Sequence, residues 1–130
     1  MYLLDTDFLI ASHFKGESTS RVAHNFAQAN FSNHDIFYID QVVFELATVI
    51  SHKYSQKEAI EVSHDLRSKK KCILSLNKYD LEEAWQIFDQ QKKKGCSFVD
   101  CANLAIAKSL GLKIVSFDKF YKKFGVDVLQ

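Results

Sequence analysis

Five acids in this chain stand where a side chain can act on a ligand: Asp5 and Asp7 on either side of Thr6, then Glu45, Asp100 and Asp118. The first two close the apolar run Tyr2-Leu3-Leu4, which has the length and side chains of a strand buried on both faces. Phe8, Leu9, Ile10 and Ala11 then start a helix that Thr6 or Asp7 can cap. Asp5 is thereby left at the rim where a buried strand ends, the edge at which open α/β sheets bind ligands. Glu45 lies inside the apolar stretch Val42–Ile50 with no lysine or arginine within a turn. An unpaired carboxylate buried there costs several kcal/mol and calls for a cation. Asp100 follows Ser97 at capping-box spacing. The helix beyond it, with Cys101, Ala102, Leu104, Ala105 and Ile106, is nonetheless so apolar that its start belongs deep in the fold. Asn103, one turn on, shares the side of Asp100 and adds an amide to the same patch.

Asp118 follows Ile114–Phe117 as Asp5 follows Tyr2–Leu4, with the Ser116 hydroxyl just before the strand's end. If those strands are neighbours, their terminal acids lie roughly 5 Å apart. Two carboxylates that close ionise cheaply only around a divalent ion. We read Asp5, Glu45, Asp100 and Asp118 as one metal site. Thr6, Asp7, Asn103 and Ser116 are its accessory residues, and Asp7 is either a ligand or a helix cap.

The elements that must position these residues alternate regularly. Strands are expected at Tyr2–Leu4, Ile36–Ile39, Cys72–Leu76 and Lys113–Phe117, with a weak fifth, Val126–Leu129, at an edge. Between them run helices through Val22, Phe26 and Ala29, over Val42–Ile50, and from the capping box Ser55-Gln-Lys-Glu58 through Leu66. A further helix starts at Asn77–Asp80, turns Leu81, Ala84, Trp85 and Phe88 inward, and closes on Lys92-Lys93-Lys94-Gly95. Phe98–Leu110, stopped by Gly111, and the short Lys119–Phe124 complete the set. Asn30–Asp35 reads as a polar loop. Strands without polar alternation, separated by helices, give a parallel sheet covered on both faces.

The 130 residues, 47% hydrophobic and 13% aromatic, suit a single domain over residues 1–130. Basic residues number 17 against 16 acidic, for a net charge of +1, so no overall field draws in a polyanion. With four acids committed to a metal, 17 basic residues face 12 acidic ones, a balance compatible with holding a phosphate backbone around an acidic pit. Cys72, Cys96 and Cys101 lack paired spacing and sit in apolar stretches as reduced core residues of a cytoplasmic protein. No apolar run approaches the ~18 residues of a membrane span, and no signal peptide precedes the first strand. Phe14, Phe31 and Tyr54 lie near helix ends, where core burial accounts for them before a dimer or partner face does.

Four pieces in this order resemble the PIN-domain nucleases, and within them the VapC-like toxins: Leu4-Asp5-Thr6-Asp7, Phe44-Glu45-Leu46, Ser97-Phe-Val-Asp100, and Ile114-Val-Ser-Phe-Asp118-Lys-Phe120. The resemblance implies a three-layer α/β/α fold with a central parallel sheet of strand order 3-2-1-4-5. It implies Asp5, Glu45, Asp100 and Asp118 around Mg²⁺ or Mn²⁺ at the C-terminal edge of the strands, directly or through water. It implies cleavage of RNA, a homodimer and an antitoxin partner. The first motif of such proteins often has Asn or Ser where this chain has Asp7, and the last often has Thr where this chain has Ser116.

Hard oxygen donors without histidine or thiolate suit Mg²⁺ or Mn²⁺ rather than zinc. Such an ion orients and acidifies a water for in-line attack on a phosphodiester. Lysines at Lys92–Lys94, Lys119, Lys122 and Lys123 are candidates for backbone contacts, or solvated helix ends. Two rival readings stand beside this one. A phosphatase of the haloacid dehalogenase type would make Asp5 a covalent nucleophile and Asp7 a general acid, but Lys113 matches its lysine poorly and no acid pair follows Asp118. A catalytically inactive module on the same fold would bind RNA or protein with its charged rim, and has no evident need for four gathered carboxylates.

Overall fold

The computed structural model describes residues 1–32 and 35–130; the expected loop Asn30–Asp35 lies partly outside them. Strand β1 (Tyr2–Leu4) is followed by helices α1 (Thr6–His13) and α2 (Ser20–Asn30). Strand β2 (Ile36–Ile39) leads into α3 (Asp40–Lys53) and α4 (Gln56–Ser68). A 3₁₀ turn at Lys70–Cys72, strand β3 (Ile73–Leu74), α5 (Lys78–Asp89) and α6 (Phe98–Leu110) come next. Strand β4 (Lys113–Val115) and a 3₁₀ helix, Lys119–Phe124, end the regular structure.

The sheet has the order β3-β2-β1-β4, with every pair parallel. Two crossovers run outward from β1 and the third returns to its other side. Right-handed connections then set helices on both faces, an α/β/α arrangement. The direction of travel reverses between β1 and β4, so their C-terminal ends form the crevice where such sheets bind ligands. Leu3, Leu4, Tyr38, Ile39, Val42, Leu46, Ile50, Cys101 and Ala105 are essentially closed to solvent at the centre of the core. The Tyr38 hydroxyl donates to the Leu66 carbonyl at 2.7 Å and so ties β2 to the end of α4.

Three expectations are corrected. The fifth strand is not formed among the described residues: β4 stops at Val115, Gly125 turns the chain at φ +77°, and the tail gives the sheet end a single backbone bond, Leu129 N–H to the Ser116 carbonyl at 2.9 Å. With Asp127 in the segment and one bond in place of a ladder, Val126–Leu129 lies along the edge without joining it. Strand β3 shrinks to two residues because Cys72 is taken into the 3₁₀ turn behind the lysines. In α5, Ala84 is buried and Phe88 half-buried as expected, but Leu81 is 36% and Trp85 52% exposed. The one buried acid on this helix, Asp80, closes a capping box with Asn77 instead.

Gly111 ends α6 at φ +67° with nothing within 4 Å of an added Cβ, so backbone conformation alone selects glycine there. Gly111→Ala should cost about 1 kcal/mol in urea unfolding, and Gly111→Asn less than that. Equal losses for the two variants would place the constraint elsewhere.

Candidate active site

Burial of the strand Tyr2–Leu4 carries Asp5 to the end of the central strand, where it is 3% exposed. Its backbone N–H still joins the sheet, donating to the Val115 carbonyl at 3.1 Å. Its side chain caps α1 through the Thr6 N–H at 2.8 Å. The cap is therefore Asp5, not Thr6 or Asp7. The same oxygen accepts from Asn103 Nδ2 at 3.0 Å, and the other accepts from Ser116 Oγ at 2.8 Å and Tyr121 OH at 3.1 Å. Four neutral donors from four segments thus hold one carboxylate.

The sheet register puts Val115 opposite Leu4. Ser116 is therefore the residue beside Asp5, and Asp118 falls two positions further on, exposed and capping the 3₁₀ helix through the Phe120 N–H at 2.9 Å. The acid that stands closest to Asp5 from its own motif is Asp7. It accepts the Phe117 N–H at 3.1 Å and lies 3.2 Å from Ser116 Oγ, so it staples α1 to the exit of β4 rather than capping its helix.

Asp100 is buried in the first turn of α6. Its helix is capped by Ser97, whose hydroxyl accepts the Val99 N–H at 3.1 Å and donates to Glu45 at 3.2 Å. Asp100 is thus freed from capping and takes the Tyr121 hydroxyl at 3.1 Å. Glu45 is half-buried rather than sealed in the core, and it faces the same group: its charge helps raise both Asp5 and Asp100. Asn103 is fully buried and donates to both Asp5 and Tyr121.

Tyr121 is the site residue that sequence reasoning missed. It is 0% exposed and bridges Asp5 and Asp100. The available signal was a hydroxyl among the rings of Phe120, Phe124 and Phe117, since a buried tyrosine needs a partner for its O–H. One hydroxyl proton cannot serve two ionised carboxylates. Burial first, then the charges of Asp5 and Asp118, push Asp100 up to about 8, and a proton held there completes the network. Burial and the Asp5 charge push Asp7 up to about 7 against the lowering effect of the Phe117 N–H and Ser116. Asp5 is raised as well, burial outweighing its hydrogen bonds.

Among the described residues no three His, Cys, Asp or Glu side chains stand together as a ready ion cage. The donor set nevertheless suits a hard divalent ion: it is all oxygen, and burial and neighbouring negative charge raise Asp7 and Asp100. Two buried oxygens on residues adjoining or touching Asp5, Thr6 Oγ1 and Asn103 Oδ1, also have no protein partner. A cavity of about 610 Å³ between α5, α6 and β4 contains none of these acids, so chemistry rather than volume locates the site. The three cysteines are free, with Cys96 and Cys101 Sγ atoms 3.5 Å apart.

A sequence model described as the PIN domain matches residues 2–126. Among solved structures the chain is similar to VapC20 of Mycobacterium tuberculosis, a sarcin-ricin loop cleaving toxin, with TM-score 0.85 and 17% identity over 100% of both chains. It is also similar to FitAcB from Neisseria gonorrhoeae, with TM-score 0.70 and 20% identity over 100% of this chain and 97% of that one. VapBC2 from Rickettsia felis, bound to a DNA fragment from its promoter, gives TM-score 0.68 and 13% identity over 99% and 98%. No curated protein sequence matches. At these identities the structural matches establish the shared fold.

A carboxyl whose folded value is raised binds its proton more tightly in the folded chain, so its protonation favours folding at low pH. That contribution is lost as pH climbs through about 7 for Asp7 and about 8 for Asp100. Without divalent ions, the melting temperature should fall between pH 6 and pH 9, and Asp7→Asn with Asp100→Asn should flatten the profile. A wild-type profile that rises over this range would contradict the crowding.

Proposed function

The chain belongs to the PIN-domain family, and on that premise we propose that it is a metal-dependent endoribonuclease that hydrolyses phosphodiester bonds in structured or single-stranded RNA. The observation that carries this reading is the gathering of Asp5, Asp7 and Asp100 on one rim, each held by neutral donors and none in an ion pair among the described residues. A purely structural network gains nothing from three acids that raise one another's affinity for protons. Mg²⁺ or Mn²⁺ bound there would supply the charge they lack, acidify a water for in-line attack and neutralise the leaving oxygen.

Each side chain has a part of its own. Asp5 is fixed through both oxygens and anchors the donor set. Asp118 is exposed while Asp5 and Asp100 are buried, so a phosphodiester approaches from the Asp118 side. Glu45, tethered by Ser97, either joins the donors or orients the attacking water. Tyr121 and Asn103 hold Asp5 and Asp100 at a fixed spacing and are positioning residues. Asp5, with both oxygens engaged and 3% exposure, is badly placed for the covalent attack that a phosphatase of the haloacid dehalogenase type requires.

The biological role that fits is the toxin of a cytoplasmic toxin–antitoxin pair, acting as a homodimer. Support comes from VapC20, a solved toxin of similar fold. It also comes from large apolar side chains left open to solvent: Phe44 at 65%, Tyr79 at 82% and Trp85 at 52%. Phe31 packs against Tyr2, Phe8 and Phe26 as a core residue does, and Phe14 stacks on Tyr54 at 4.0 Å, but Tyr54 is 36% exposed rather than buried.

Mn²⁺ should raise the melting temperature of the native chain but not of Asp5→Asn or Asp100→Asn. The same variants should cleave RNA at least about 100-fold more slowly. Sequencing 5′ ends of cellular RNA after induction, beside Asp5→Asn, identifies the cut. A phosphorylated Asp5, or cleavage undiminished in Asp5→Asn, refutes the proposal.

A further inference from the structure

Beside the acid rim lies a cleft of about 440 Å³ whose walls carry lysines from two separate segments. Lys93 and Lys94 come from the turn ahead of α6, and Lys119, Lys122 and Lys123 from the 3₁₀ helix. Asp118 lines the same cleft, which therefore lies on the Asp118 side of the acids.

Lys122 and Lys123 stand in the last turn of the 3₁₀ helix, but no such helix-end duty extends to Lys93 and Lys94. The sequence reading closes the fifth helix on Lys92–Lys94, but α5 ends at Asp89 with Gln90 as its cap, beyond the reach of its dipole. Ion pairing fails too, because none of the five has a carboxylate within 4.0 Å among the described residues. Like charges gathered around one acid repel unless an anion lies between them.

The aromatic content of the cleft narrows the anion. The Lys123 ammonium lies 4.6 Å from the centre of the Phe120 ring and 5.4 Å from that of Phe124, and it bonds the Gln91 amide oxygen on the opposite wall. Phe120, half-buried, is the ring that lines the cleft. Lysines interleaved with rings along a groove are what a single polynucleotide strand uses, phosphates on the ammonium groups and bases on the rings.

We infer that this cleft is the track for the RNA strand on one side of the scissile bond. Lys93, Lys94, Lys119 and Lys122 hold backbone phosphates and Phe120 takes a base. The inference rests on the nuclease reading and adds where the substrate lies.

The test is fluorescence anisotropy of a labelled 12-nucleotide single-stranded RNA with EDTA present, over a salt series. The native chain is compared with a fourfold variant, Lys93→Gln, Lys94→Gln, Lys119→Gln and Lys122→Gln. Loss of the four phosphate contacts should lower the slope of log affinity against log salt by about 2.8 and weaken binding at least about tenfold at low salt. With Mn²⁺, the variant should show a raised KM and an unchanged kcat. A control with Lys69→Gln, Lys70→Gln and Lys71→Gln should match the native chain. If the native chain cuts RNA and the fourfold variant keeps the slope and the KM, the track is refuted and the nuclease stands. A control as weak as the fourfold variant also refutes it. If the native chain neither binds nor cuts RNA, both readings fall.

Discussion

Asp5 is an acid closed in at the end of the central strand with no cation in its hydrogen-bond shell, and the neutral donors around it fix the relative positions of α1, α6, the exit of β4 and the 3₁₀ helix. Burying an ionised carboxylate costs several kcal/mol even after relaxation. Four hydrogen bonds to a charged acceptor, each about 1.5–3 kcal/mol, offset part of it, and burial still raises the group. The donors lie 1, 98, 111 and 116 residues away in the chain. The group that locates the chemistry is for that reason also the one that joins the two ends of the sequence.

The same network explains why the other acids differ in character. Ser116 and Tyr121 each have one proton to give and more than one carboxylate in reach. Asp5, with the shortest contact to Ser116 and a full set of donors, has first claim on these protons. Asp7 and Asp100 are left under-supplied, and burial raises them. Asp118 is exposed, and its oxygen caps a turn. A gradient from sealed to open acids results, and it faces a cleft of opposite charge. Charge thus changes sign over a short distance even though the net charge is only +1.

The sheet edges serve the site rather than the fold. Strand β4 ends at Val115 because Ser116 turns its hydroxyl and Phe117 its backbone N–H toward the acids. What the edge lacks in strand pairing is made up by a tail that rejoins through one backbone bond. Apolar residues that periodicity assigns to the core, Trp85 above all, are displaced outward when Asp80 and Ala84 take the inner positions of α5.

The sequence by itself determined the alternation of short apolar strands with helices, the breaks at Gly111 and Gly125, and four of the acids at element starts or ends. These are local properties: burial shows as unbroken apolar runs, and a helix end shows as a cap or a glycine. Only the tertiary structure decided which acid stands beside which. Sheet register set Ser116, not Asp118, opposite the end of β1. The turn after β4 brought Tyr121 between Asp5 and Asp100, and the early end of α5 released Lys93 and Lys94 into the cleft. Periodicity reports whether a residue is covered. It carries no record of what covers it, because partners about a hundred residues apart meet only when strands pair and helices pack.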